Sequence, residues 1–197
     1  MDDPVTRYFS LLTKWNRSIR LVSSAASEDE FRKKHLRDAV ELAPHLANAR
    51  SLIDIGTGAG LPGILIKMMM PDIEVILLDS VRKKISFCNE AIRTLGLSGI
   101  RAICGRAEDE LVRGQLGTFD AVVSRATWKL KDYIINSISY LREGPSSRIF
   151  ALKGAGCDKE LAEAQNIIEN QELTLDIDHR YSIGPLPRRI LSFRRKP

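Results

Sequence analysis

Apolar residues recur at helical spacing near the start of the chain. Over residues 4 to 20 they fall at Val5, Tyr8, Phe9, Leu12, Trp15 and Ile19. That repeat predicts an amphipathic helix. A second helix is predicted over 28–43. Ser27 is its N-cap candidate, and Glu28, Asp29 and Glu30 suit the positive end of the helix dipole. Phe31, Leu36, Ala39, Val40 and Ala43 supply its apolar face. No long linker follows, so residues 1–48 are read as a helical cap on a single domain whose core is 49–197. From residue 50 short apolar runs alternate with amphipathic segments. Strands are expected at 51–55, 74–79, 100–104, 119–124 and 147–153, and helices at about 61–70, 81–95, 106–112, 130–141 and 158–168. Pro71-Asp72, Gly96 and Gly144-Pro145 punctuate the joins. Such alternation predicts an α/β, Rossmann-like architecture: a mostly parallel sheet with helices on both faces. Two last strands, 172–178 and 188–194, flank Gly184 to Pro187, "GPLP". No helix fits between them, so they should form a hairpin. This completes seven strands with the last antiparallel.

Composition narrows the class. Apolar residues make up 44% and charged residues 28% of 197, the balance of an ordinary soluble domain. No stretch is long and apolar enough to cross a bilayer. The opening "MDDPVTRYFS" has no signal-like core, so a cytoplasmic protein is expected. Cys88, Cys104 and Cys157 are odd in number and form no CxxC pair, so buried, reduced thiols are expected rather than a disulfide framework or a zinc site. Net charge is +5, and from Arg180 to the end there are six basic residues and no acid. A basic tail of this kind suits a polyanion or a solvated surface strand.

The candidate chemistry lies in "LIDIGTGAGLPG", residues 52 to 63. Gly56, Gly58 and Gly60 can take positive φ and let a ligand touch the main chain. In an open parallel sheet, ligands sit at the carboxyl ends of the strands where the strand order reverses, which is where this loop falls. Two ligand classes compete. Gly58, Gly60 and Gly63 match the dinucleotide fingerprint, with Asp79 about 20 residues on. Against a diphosphate stands Asp54, two residues before the first glycine, where a carboxylate would repel it. S-adenosylmethionine carries an ammonium, a sulfonium and a ribose diol instead. Asp54 would help hold its amino-acid end. Asp79, with Ser80 beside it in "VILLDS", would accept the ribose hydroxyls or simply cap a helix. "GRAED", residues 105 to 109, follows the third strand. There the backbone at Ala107 and Glu108 could read an adenine edge.

Taken in order, "KWNRSIRL", "HLRDAVELAP", "DIGTGAGLPG", "LLDSVRKKISF", "FDAVVSRA" and "ALKG" resemble the successive signatures of the RsmG/GidB family. That family comprises bacterial 16S ribosomal RNA guanine-N7 methyltransferases using S-adenosylmethionine. The resemblance implies a class I methyltransferase fold and cofactor contacts at Gly56, Leu61, Ala107, Glu108 and Arg125. The chain departs from the family pattern at Ile19 to Ser23, at Ala39 after Asp38, and in the shortened "PLPRRILSF".

Guanine N7 has a free in-plane lone pair, so its methylation needs no general base. The work is alignment and exclusion of water. Arg125 and Lys153 end two neighbouring strands and are the candidate catalytic groups. A donor on N7 would block the reacting atom, so Arg125 is expected on the cofactor carboxylate or a phosphate. His35 and Asp38 are candidates for the entrance and Trp128 for stacking on a splayed base. Arg188 and Arg189, with Arg32, Lys33 and Lys34, are candidates for the RNA backbone. The expected partner is ribosomal RNA or the small ribosomal subunit, with the enzyme a monomer using no metal. The alternatives are a methyltransferase of a small molecule or protein, a nicotinamide oxidoreductase, and a non-enzymatic RNA-binding factor.

Overall fold

A computed structural model describes residues 3–22, 27–125 and 128–196. Helix α1 (Pro4–Asn16) starts behind Asp3, whose carboxylate accepts from the Val5 N–H. Ser27 caps α2 (Glu28–Phe31), accepting from the Glu30 N–H as the sequence suggests. The helix predicted over 28–43 is broken into three pieces: α2, a π-helical turn at Arg32–Leu36, and α3 (Arg37–Leu42). Periodicity does not reveal a π-turn, because one extra residue per turn is absorbed without changing which residues are apolar.

The α/β core runs β1 (Ser51–Ile55), α4 (Gly63–Met69), β2 (Glu74–Asp79), α5 (Arg82–Leu95), β3 (Ile100–Cys104), α6 (Glu110–Leu116), β4 (Ala121–Arg125), α7 (Leu130–Ser137), β5 (Arg148–Lys153), α8 (Cys157–Asn170), β6 (Leu173–Ile183) and β7 (Leu186–Arg195). The strand order is β3-β2-β1-β4-β5-β7-β6. β1 to β5 pair in parallel, and β7 runs antiparallel between β5 and β6. The order reverses between β1 and β4, which places the ligand crevice over their carboxyl ends.

Alternation along the strands divides the core in two. Leu52, Val75, Leu77 and Phe150 face one side, with Tyr8, Leu12, Phe31, Leu65 and Phe87 from the covering helices. Ile53, Ile55, Ile76 and Leu78 face the other, with Tyr133, Ile134 and Ile168. The N-terminal helices are therefore part of one core layer.

Three expectations need correction. The helix predicted at 106–112 begins at Glu110, capped by Asp109, which accepts from Leu111 N–H at 2.9 Å. Residues 105–109 thus stay free of helix at the sheet's carboxyl edge. The strand predicted at 172–178 runs on to Ile183. The added residues 179–183 alternate polar and apolar and pair with 186–190 across the hairpin, while Asp176 and Asp178 pair with Arg194 and Arg189. Two of the tail's arginines are thus paired with acids on the adjacent strand, which a count along the chain cannot show. Cys88 and Cys157 are buried, but Cys104 is exposed because it ends the edge strand β3.

Candidate functional site

The glycine loop is built so that its backbone lines a cleft of about 460 Å³. Gly56, Gly58 and Gly60 take φ of 69°, 60° and 80°. The N–H groups of Gly56 and Thr57 both reach the Leu78 carbonyl, folding the loop over β2. Asp79, 6% exposed, forms the next wall. One of its oxygens accepts from Gly58 N–H and the other from Val81 N–H, each at 2.9 Å, and Lys84 Nζ stands 3.5 Å away. Asp79 therefore sets the loop and the start of α5 while presenting a carboxylate edge to the cleft. At the end of β3 lies the 105–108 turn, where Ala107 is held by Tyr140 Oη donating to its carbonyl at 3.1 Å. The Ala107 and Glu108 N–H groups take no partner among the described residues. Arg125 and Trp128 close the cleft on the β4 side, and Leu21 and Val22 cover it from the N-terminal segment.

Several predicted residues converge here: Gly56, Gly58, Leu61, Asp79, Ser80, Ala107, Glu108, Arg125 and Trp128 all line the cleft. Others do not. Asp54 is fully buried behind the loop, its Oδ2 accepting from Thr57 Oγ1 at 2.7 Å and Gly63 N–H at 3.0 Å. Burial raises its pKa to about 6. Gly60 also sits behind the loop, where a Cβ would lie 2.3 Å from Ile64 Cδ1. Lys153 turns away from the cleft. Its Nζ donates to the Trp128 carbonyl and to Glu160 Oε2 at 2.8 Å, and the same carboxylate oxygen accepts from Leu130 N–H at 2.8 Å. Lys153 thereby fixes the chain behind Trp128 to β5 and α8. Arg189 is engaged by Asp178 and Asp158, and Arg188 lines a neighbouring cavity.

His35, in the π-helical turn, and Asp38, in α3, meet at the Arg125 guanidinium, which donates to His35 Nδ1 and, at 3.2 Å, to Asp38 Oδ2. Burial and then Arg125 depress the His35 pKa to about 3, so the ring is neutral with its proton on Nε2. Asp38, 1% exposed, also accepts from Tyr181 Oη at 2.7 Å. Of the other basic candidates, Arg32, Lys33 and Lys34 each face an acid one turn earlier: Glu28, Asp29 and Glu30. Ser23 of the departing segment, and Ala126 after Arg125, lie outside the described residues.

Sequence reasoning missed Tyr8, Leu21, Val22 and Lys84. Tyr8 is fully buried and donates its hydroxyl to the Ala59 carbonyl, tying α1 to the glycine loop. Only its apolar spacing is visible in sequence. Among the described residues, no group of three His, Cys, Asp or Glu side chains is placed to hold a metal ion. No helix among them is long and apolar enough to cross a membrane.

The sheet order, the glycine loop at the β1 end and an acid at the β2 end define the class I, S-adenosylmethionine-dependent methyltransferase fold. Solved structures agree at the level of fold. The ribosomal protein L11 methylase of Lactobacillus delbrueckii subsp. bulgaricus superposes with a TM-score of 0.64 at 17% identity, over 83% of this chain and 79% of that one. A geranyl diphosphate methyltransferase in complex with SAM gives 0.64 at 14% identity, over 85% and 88%. The sequence is more specific: residues 2–178 match the GidB model, described as rRNA small subunit methyltransferase G. Proteins named ribosomal RNA small subunit methyltransferase G are 39% identical over 167 residues in Clostridium botulinum, covering 82% of this chain and 68% of that protein, and 38% identical over 173 residues in Streptococcus thermophilus, covering 84% and 70%. The chain belongs to the rRNA small subunit methyltransferase G family.

Proposed function

We propose that this protein transfers a methyl group from S-adenosylmethionine to N7 of a guanine in small-subunit ribosomal RNA. One observation carries the choice of cofactor within the cleft: the protein's own Asp54 carboxylate sits at the start of α4, accepting the Gly63 N–H. In a dinucleotide fold that helix start receives the diphosphate. Here the anion seat is filled from within, so the G-x-G-x-x-G match does not describe a nicotinamide site. Gly63 is needed for packing instead, since a Cβ there would lie 2.4 Å from Leu77 Cδ2.

The cleft fits an uncharged nucleoside with a cationic tail. The cleft-facing edge of the Asp79 carboxylate suits a ribose diol. The free N–H groups of Ala107 and Glu108 suit an adenine edge. When bound, the cofactor supplies an electrophilic methyl carbon on its sulfonium. Arg125, pinned by His35 and Asp38, is assigned to an anionic group, the cofactor carboxylate or a phosphate. Trp128, half-buried and lining the cleft, is assigned to stacking on the incoming base. No proton has to leave guanine N7 before attack, so these residues align and shield the reactants rather than exchange protons. We read the enzyme as a cytoplasmic monomer acting on rRNA or the assembled small subunit.

Mapping methyl groups on small-subunit rRNA from cells with and without the protein tests the assignment. Loss of one N7-methylguanosine on deletion, restored by wild type, is the expected result. An unchanged methylation map would overturn it. Calorimetric titration should show S-adenosylhomocysteine binding and no NAD binding.

A further inference from the structure

Next to the donor cleft, a second cavity of about 320 Å³ opens at the carboxyl end of β5, one strand beyond the end of β4 that carries Arg125. Its walls are the Gly154 to Asp158 loop and the facing hairpin segments that hold Arg180, Arg188 and Arg189. The three arginines are not equivalent. Arg189 is saturated, donating to both oxygens of Asp178 and to Asp158. Arg180 is two-thirds exposed and stands 3.7 to 3.8 Å from Asp158 and Asp178.

Arg188 differs. Its side chain is 26% exposed, yet Nε is buried without a hydrogen-bond partner. The nearest carboxylate, Asp38 Oδ1, stands 3.9 Å away, beyond hydrogen-bond reach. That carboxylate is already spoken for by Tyr181 and Arg125. No hydrogen bond from the Arg188 guanidinium occurs among the described residues. A guanidinium carries five donors in a planar fork, and leaving them unused in a half-buried site is costly. Asp38 therefore holds Arg188 in place by charge while leaving its fork to another acceptor. Residue 154 is glycine, and a Cβ there would lie 3.4 Å from Arg188 Nη1, so the guanidinium lies close over the strand end.

We infer that this cavity is a phosphodiester subsite, in which Arg188 grips an RNA phosphate next to the nucleotide presented at the donor cleft. The inference rests on the rRNA reading above and adds to it a location and a ligand group. Of the basic residues around the cavity, Arg189 has its donors spent and Arg180 is largely in solvent beside two acids, whereas Arg188 is drawn into the wall with its donors unused, and a phosphate matches its fork in two-point geometry.

The test is the salt dependence of binding to a small-subunit rRNA fragment, measured by fluorescence anisotropy for wild type, Arg188→Gln and Arg188→Lys. S-adenosylhomocysteine affinity of each variant checks that the cleft is intact. Each phosphate contact on a single strand contributes about 0.7 to the slope of log K against log salt. Arg188→Gln should flatten the slope by roughly that amount with S-adenosylhomocysteine binding unchanged, and Arg188→Lys, which keeps the charge, should retain it. An unchanged slope in Arg188→Gln overturns the subsite. Equal flattening in both variants also overturns it, because the loss would then come from packing and not charge. If wild type itself fails to bind rRNA, the broader reading falls and not merely this subsite.

Discussion

Asp54 shows how a single buried carboxylate can be read both ways. Its Oδ2 serves two donors, Thr57 Oγ1 and Gly63 N–H, while Oδ1 is buried without a partner. Burial raises its pKa from 3.8 to about 6, so the folded protein retains a proton that the unfolded chain gives up. The sign follows: this stabilisation is complete below about pH 4 and declines as pH rises to about 6, by up to about 3 kcal/mol. Asn at this position keeps an acceptor for both donors and cannot titrate. Asp54→Asn should therefore gain stability relative to wild type as pH is raised from about 4 to 7. A difference in melting temperature that does not change with pH would contradict this. His35 acts in the opposite sense. Its depressed pKa means that its contribution is present above about pH 6.5 and is lost as pH falls toward 3. Asp79→Asn tests the cleft itself. The amide keeps one acceptor for the loop and loses the charge, so the thermal shift induced by S-adenosylhomocysteine should shrink more than the melting temperature of the free protein falls. An undiminished ligand shift would remove Asp79 from the site.

Among the elements, the glycine loop divides into positions that serve the ligand and positions that serve the fold. At Gly58 an added Cβ meets nothing closer than Gly56 O at 4.0 Å, so Gly58→Ala costs only the strain of its φ of 60°, on the order of 1 kcal/mol. Gly60→Ala adds a collision with Ile64 and Gly63→Ala one with Leu77, both in the core. Denaturant titration should rank Gly58→Ala as clearly the mildest of the three. The sequence made the loop, its strand and its place at the sheet's crossover legible, because glycine spacing and apolar runs are local signals. It did not separate Asp79, whose carboxylate edge reaches the cleft, from Asp54, which is sealed behind it. Both are acids at strand ends, and only the packing of α4 on β1 distinguishes them. The direction of the Lys153 side chain is hidden for the same kind of reason. The end of β5 is legible in the sequence, but not that Glu160, in the first turn of α8, draws the ammonium away from the cleft. Lys153→Met should leave S-adenosylhomocysteine affinity nearly unchanged while lowering kcat, through loosening of the Trp128 segment. Equal losses in both would return Lys153 to the cofactor site.

At the scale of the molecule, one hydrogen-bonded chain joins parts far apart in sequence. Tyr181 on β6 donates to Asp38 on α3, and Asp38 accepts from Arg125 at the end of β4. No local pattern announces this link, since its members are 56 to 143 residues apart along the chain. Tyr181→Phe removes a charge-assisted bond while keeping the ring, so catalysis should fall about tenfold with the fold intact. In an Arg125→Lys background the same change should matter much less, because both act through one guanidinium. Additive losses would make Tyr181 a packing residue only. The placing of β7 has a different consequence. It is the latest strand in the chain, yet it lies inside the sheet, wedged between β5 and β6. Emerging from the ribosome, the chain must keep the flank of β5 open until residues 186–195 arrive to seal it. An enzyme read here as modifying ribosomes thus leaves the ribosome with its own sheet open until the returning strand of the hairpin has been made.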